Sequence, residues 1–171
     1  FMIRVASLKD MVHAKYNKKD IAGMTPSVQL EKIYEKTHEM SQVQYSTYNR
    51  SFLPSLRANH LIIVGSYEEL NEEQSKYVDD YFMRDVYPVL TPMAVDSSRP
   101  FPLVRNKTLN IGALLGSHED KEHYDFATVQ VPSVLPRVVR IPSENKEDTT
   151  IILLEQIIEK NIHKLFLNYK V

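Results

Sequence analysis

A chain of 171 residues with 43% hydrophobic and 25% charged side chains is large enough for one ordinary globular domain or two small ones. It has no cysteine, which excludes a disulfide framework and any thiolate-built zinc site. The formal net charge of −1 divides unevenly: residues 1–59 carry nine Lys/Arg against five Asp/Glu, and residues 60–171 twelve against seventeen.

The basic residues are scattered, with Lys18–Lys19 the only adjacent pair, so composition gives no stand-alone nucleic-acid surface. No stretch approaches the roughly 20 apolar residues needed to cross a bilayer. Arg4, Lys9 and Asp10 interrupt any secretory pattern at the N-terminus, and the cytoplasm is the expected compartment.

In chain order, Val5, Leu8, Val12 and Tyr16 recur at helical spacing and predict a helix from Phe1 to about Tyr16. Asn17–Gly23 reads as a polar connection. Thr25–Pro26 predicts the start of a second helix, with threonine capping free amides and proline tolerated in the first turn. Leu30, Ile33, Tyr34, Met40, Val43, Tyr48, Phe52 and Leu56 give that helix an apolar stripe, with a kink or restart at Pro54. The expectation over residues 1–59 is a helical hairpin, the remnant of a three-helix bundle.

At Leu61 the character changes. Leu61–Val64 before Gly65 predicts a short buried strand. Asn71, Glu72, Glu73 and Gln74 compose a capping box, opening a helix that turns Tyr77, Tyr81 and Phe82 to the core and ends at Tyr87–Pro88. Pro88–Pro102 holds four prolines and reads as an ordered connector without regular structure. Leu109, Ile111, Ala113 and Leu115 alternate as a half-buried strand does, and Ala127, Val129 and Val131 supply its antiparallel partner across the charged loop Ser117–Asp125. Val138–Ile141 predicts another strand, Ser143–Thr149 a polar turn, and Ile151–Phe166 a closing helix. The predicted class is α+β: the helical hairpin, then an α+β domain over 60–171 with a mostly antiparallel or mixed sheet. Both ends fall in mid-pattern, as expected of a piece of a longer polypeptide.

The segment Tyr87–Pro88–Val89–Leu90–Thr91–Pro92–Met93–Ala94–Val95–Asp96, continuing Arg99–Pro100–Phe101–Pro102, resembles the "PVLTPLAVD…PFP" stretch of the polyphosphate kinases. Phe1–Ala6 is similar to that family's "FFMVRVA", Thr25–Pro26 with Gln29–Leu30 to "TPxxQL", and Asn106–Asn110 to "NxSLN". Val129–Pro132 with Leu135–Arg137 is similar to "VQVPxxLPR". Leu154–Glu155, Ile157–Ile158 and Leu165–Phe166 follow in order. The departures are Ala58–Asn59–His60, where a glycine-containing lead-in to the first strand is usual, and Ser97–Ser98–Arg99 before Pro100.

The resemblance implies the end of a helical N-terminal domain, residues 1–59, and a head or middle domain, residues 60–171. The whole enzyme is implied to transfer the terminal phosphate of ATP reversibly to inorganic polyphosphate through a phosphohistidine, with magnesium, in a cytoplasmic or membrane-associated setting. The phosphorylated histidine is expected beyond Val171, so this piece has no catalytic residue and no cofactor of its own. Its implied role is structural, contributing to a homodimer or higher oligomer and docking the missing C-terminal catalytic domains. The alternative is a self-contained protein-interaction module without phosphate chemistry.

Phosphate-path candidates are Arg4 and Lys9 on the first helix, and Arg99, Arg105 and Lys107 around the Pro-Phe-Pro connector. No metal site is assigned: His118 and His123 with Glu119, Asp120 and Asp125 have metal-like composition, but nothing fixes them geometrically and a solvated loop is the reading. His163 reads as a surface histidine, and His13, His38 and His60 have no partner at diagnostic spacing. Tyr34, Tyr45 and Tyr48 read as core or interface.

Overall fold

A computed structural model describes residues 1–95, 101, 104–116, 124–167 and 169. The chain divides into two compact units, Phe1–Ser55 and Leu56–Val171.

The first unit is the predicted pair of helices. Helix α1 spans Met2–His13, and α2 spans Pro26–Thr47. Thr25 Oγ1 caps α2 by accepting from the Val28 N–H at 3.5 Å, with Pro26 in the first turn. In the link, Asp20 Oδ1 accepts from the N–H groups of Ala22 and Met24 at 2.9 and 3.0 Å, and Gly23 takes the left-handed φ of 74° that this turn requires. Leu8 is fully buried, while Tyr34, Met40, Val43 and Tyr45 of α2 are each at least 60% exposed. The tyrosines read as core or interface are therefore not core of this unit.

A π-helical turn, Tyr48–Phe52, follows α2, and α3, Leu53–Ala58, continues it. The widening has a cause in Pro54. Its nitrogen has no proton for the Arg50 carbonyl and its ring would strike that carbonyl, so the Leu53 N–H donates instead to Tyr48 five residues back.

The second unit holds two three-stranded sheets. In one, β1 (Leu61–Ile63) lies parallel to the central strand β6 (Thr149–Leu153), which pairs antiparallel with β5 (Val138–Ile141). In the other, β4 (Tyr124–Gln130) is central and antiparallel to both β2 (Pro92–Val95) and β3 (Asn110–Gly116). Helix α4, Glu72–Tyr81, opens on the predicted capping box, with Asn71 Oδ1 accepting from the Gln74 N–H at 2.9 Å and Gln74 Oε1 from the Asn71 N–H at 3.2 Å. Of its predicted core residues Phe82 is fully buried, Tyr81 is half-buried and Tyr77 is 40% exposed, because Val78 takes the inward position. A second π turn, Phe82–Val86, precedes Pro88 as the first precedes Pro54.

The class is α+β, with one mixed and one antiparallel sheet. Two segments differ from the sequence expectation. The closing helix does not begin at Ile151: Thr149–Leu153 is β6, helix α5 is only Leu154–Lys160, and a 3-10 turn covers Ile162–Leu165. A β-branched apolar run can be written into either element, and β6 is decided by partners on both sides. The proline-rich connector contains β2, whose Pro92 is its first residue on a sheet edge, a position that needs no N–H. Val64, Val78, Phe82, Val86, Leu115, Val129, Ile152, Leu154, Ile157 and Ile158 are among the residues of one continuous core.

Candidate functional site

The turn before β3 carries two of the predicted cations. Lys107 adopts a left-handed φ of 61°, and Thr108 closes the turn, donating to the Arg105 carbonyl through its N–H at 3.3 Å and its Oγ1 at 2.7 Å. Asn110 Nδ2 donates to Thr108 Oγ1 at 2.9 Å, fixing the turn to the strand. The β3–β4 register sets Asn110 opposite Gln130, and the Val131 N–H continues the ladder to the Leu109 carbonyl at 2.9 Å. That ladder brings the turn beside the segment after β4, and between them lies a cleft of about 370 Å³ bordered by Lys107, Thr108, Gln130, Ser133 and Arg137.

Arg137 is held by Glu155 of α5. Its Nε lies 3.0 and 3.1 Å from the two carboxylate oxygens and its Nη2 2.5 Å from Oε1. Burial pushes the Glu155 carboxyl up, but the Arg137 hydrogen bond, a backbone hydrogen bond and the guanidinium charge together outweigh it and leave the group below its ordinary value. The charge of Arg137 is thus largely compensated. Arg105 and Lys107 are exposed and make no ion pair among the described residues.

A cleft of about 460 Å³ opens beyond the carboxyl ends of the parallel strands β1 and β6, lined by Ser66, Tyr67, Glu68, Gln156, Glu159, Lys160 and His163 among others. Its cation is already engaged: Lys160 Nζ stands 4.8 Å from the Tyr67 ring centroid and 3.7 Å from Glu68 Oε1. Burial raises the Tyr67 hydroxyl, and a hydrogen bond from Ser66 lowers the Glu68 carboxyl.

At the start of β1, His60 Nδ1 lies 2.9 Å from Asp148 Oδ1, a pairing 88 residues apart that spacing arguments did not find. Hydrogen bonds from Asn145, at 3.0 Å, and from His60 hold the Asp148 carboxyl below its ordinary value. The ring is 58% exposed.

The remaining candidates lie elsewhere. Arg4 Nη2 donates to Gln29 Oε1 at 2.7 Å in the first unit, and Lys9 is an exposed residue of the same helix. Five positions apart, these two sit on different helix faces and form no pair. Arg99, His118, Glu119, Asp120 and His123 lie outside the described residues; Asp125 is half-buried in β4. His163 is exposed, with Nδ1 3.2 Å from the Lys160 carbonyl. Among the described residues no three His, Asp or Glu side chains gather in a metal-binding cluster. No helix of the described residues is long and apolar enough to cross a membrane. Arg137 and Glu155 were legible as motif letters but not as a pair, since only the tertiary fold joins them.

The chain matches two family models, the polyphosphate kinase N-terminal domain over residues 1–64 and the polyphosphate kinase middle domain over residues 73–171. Among curated proteins it is 48% identical over 171 residues to a polyphosphate kinase of Lactiplantibacillus plantarum, covering all of this chain and 23% of that one. It is 42% identical over 175 residues to a polyphosphate kinase of Bacillus anthracis, of which it covers 25%. The crystal structure of polyphosphate kinase from Porphyromonas gingivalis superposes on 84% of this chain and 24% of its own, with a TM-score of 0.76 at 23% identity, a likeness of fold. The chain therefore spans about a quarter of the length of these relatives.

Proposed function

The chain belongs to the polyphosphate kinase family, and from that premise we propose that it forms the scaffold portion of such an enzyme. In this reading residues 1–59 close the N-terminal domain and residues 60–171 form the middle domain, which contributes to self-association as a homodimer or higher oligomer. The phosphoryl transfer from ATP to polyphosphate, through a phosphohistidine and with magnesium, belongs to the parts of the relatives without counterpart here. The setting is cytoplasmic or membrane-associated.

One observation carries the reading. Two family models named for non-overlapping domains of one enzyme account for residues 1–64 and 73–171, while the relatives extend over about four times this length. Physical chemistry agrees with it. Offsetting the charge on a transferring phosphoryl group takes several cations converging on one point. In this chain Arg4 and Lys9 face apart, and Arg137 is compensated by Glu155.

The test is ATP-dependent polymer synthesis. The 171-residue chain is expected to make no polyphosphate, while a polypeptide extended to the length of the relatives makes it. Robust synthesis, or a phosphohistidine formed from ATP, on the 171 residues alone would overturn the proposal.

A further inference from the structure

We propose that the outer edge of β3 is a two-fold self-association surface, on which β3 of a second copy of this chain pairs antiparallel and joins the two β2-β4-β3 sheets into one. This gives a surface to the self-association proposed above and rests on that reading for its occupant.

Two three-stranded sheets leave four edge strands, β1, β5, β2 and β3. An open edge is a row of free N–H and C=O groups, and soluble proteins blunt it by brevity, proline or charge. β1 has three residues, β2 has four and begins at Pro92, and β5 has four and carries Arg140. β3 has none of these devices. Its seven residues include neither proline nor a charged side chain, and among the described residues its outer edge pairs with no strand.

The register decides which groups are free. The Val131 N–H donates to the Leu109 carbonyl at 2.9 Å, so the antiparallel alternation turns the backbone groups of Ile111, Ala113 and Leu115 to β4. Those of Asn110, Gly112, Leu114 and Gly116 point away from it. A two-fold axis beside Ala113 sets Gly112 opposite Leu114 of the partner subunit, and Asn110 opposite Gly116 of the partner subunit. Each free donor then meets a free acceptor.

A second copy suits this edge in shape and in charge. Leu114 is 62% exposed on the face where Gly112 has no side chain, and a Cβ on Gly112 would stand 3.2 Å from the Phe126 ring. In the two-fold pairing each Leu114 lies over the bare glycine of the other copy, beside that ring. Glycine and leucine are spaced so that the strand is its own complement, which an unrelated peptide is not. Residues 60–171 hold twelve Lys/Arg against seventeen Asp/Glu, so two copies repel wherever charged surfaces meet. A strand without charge is where that repulsion is smallest.

Sedimentation velocity over a concentration series of the 171-residue chain, with amide hydrogen exchange on the same samples, tests the pairing. The chain is expected to pass from monomer to dimer as concentration rises. The amides of Gly112 and Leu114 gain about tenfold protection or more in step, while those of Ile111 and Ala113 are protected throughout. Leu114→Pro removes one outward N–H at a position where an edge strand tolerates proline, and Leu114→Glu adds a carboxylate to each copy. Both are expected to raise the dimer dissociation constant about tenfold or more. Val138→Glu, the same change at an exposed apolar position of β5, is the control and stays within about twofold. Thermal melts establish that each variant is folded, and the exchange arm needs no variant at all.

A dimer in which Gly112 and Leu114 still exchange freely would overturn the β3 edge and leave self-association to another face. So would a dimer weakened equally by Val138→Glu. A monomer at every concentration would overturn both the edge and the self-association of this chain, leaving the scaffold reading to the synthesis assay.

Discussion

His60 shows how one residue can stand where another is expected. Its φ of 62° is left-handed, a conformation that costs an L-residue roughly 1–2 kcal/mol and glycine nothing. Here the histidine is compensated twice. Its ring reaches Asp148 at 2.9 Å, and its carbonyl accepts from the Thr149 N–H at 2.7 Å, where β1 begins its parallel pairing with β6. His60→Gly relieves the strain and forfeits the ring contact, so its urea midpoint is expected close to the parent. His60→Val keeps the strain and loses the contact, and its midpoint is expected lower by a stability loss of about 1 kcal/mol or more.

The Asp148 carboxyl has its own signature. Its folded pKa lies below the ordinary 3.8 through bonds from Asn145 and His60, so its contribution is present above the unfolded value and lost as pH falls through the folded one. Denaturant midpoints measured from pH 5 down to pH 3 are expected to fall less steeply for Asp148→Asn than for the parent chain. Equal slopes would show that the carboxylate adds nothing to acid sensitivity.

At the scale of elements, the same device appears twice. The π turns Tyr48–Phe52 and Phe82–Val86 each end two residues before a proline, Pro54 and Pro88. A helix approaching a proline loses one donor and meets a ring, and widening by one residue relieves both. Replacing Pro54 with Ala restores the donor. NMR of the variant is expected to show the amide of residue 54 bonded to the Arg50 carbonyl and the wide turn lost.

Strand β6 carries the larger cost. Ile152 is fully buried in the middle of the mixed sheet, between β1 and β5. Ile152→Ala is expected to lower unfolding stability by about 2–5 kcal/mol, read from urea denaturation of the second unit. A loss under 1 kcal/mol would mean that the core closes over the missing methyl groups.

For the molecule as a whole, the two units differ in how much they bury. The continuous core lies entirely in the second unit, whereas the first buries only Leu8 and Pro26. A helical pair with most of its apolar stripe in water has little to set against the entropy of ordering it. Amide hydrogens of α1 and α2 are expected to exchange faster than those of β4 and β6 by orders of magnitude in a native-state exchange experiment. Matched protection would show that the first unit draws stability from something beyond its own packing.

The sequence by itself determined what local chemistry dictates. It marked the Thr25 cap, the Asn71 capping box, Pro54 as a kink and Tyr87–Pro88 as a helix end, the alternation of β3 and β4, and the motifs that place the chain in its family. Only the tertiary structure decided that Thr149–Leu153 is a strand, because a β-branched apolar run suits either element until neighbours on both sides claim its hydrogen bonds. Likewise only the fold could join Arg137 to Glu155 and His60 to Asp148. Those pairings depend on which distant segments lie side by side, and residue spacing along a chain carries no record of that.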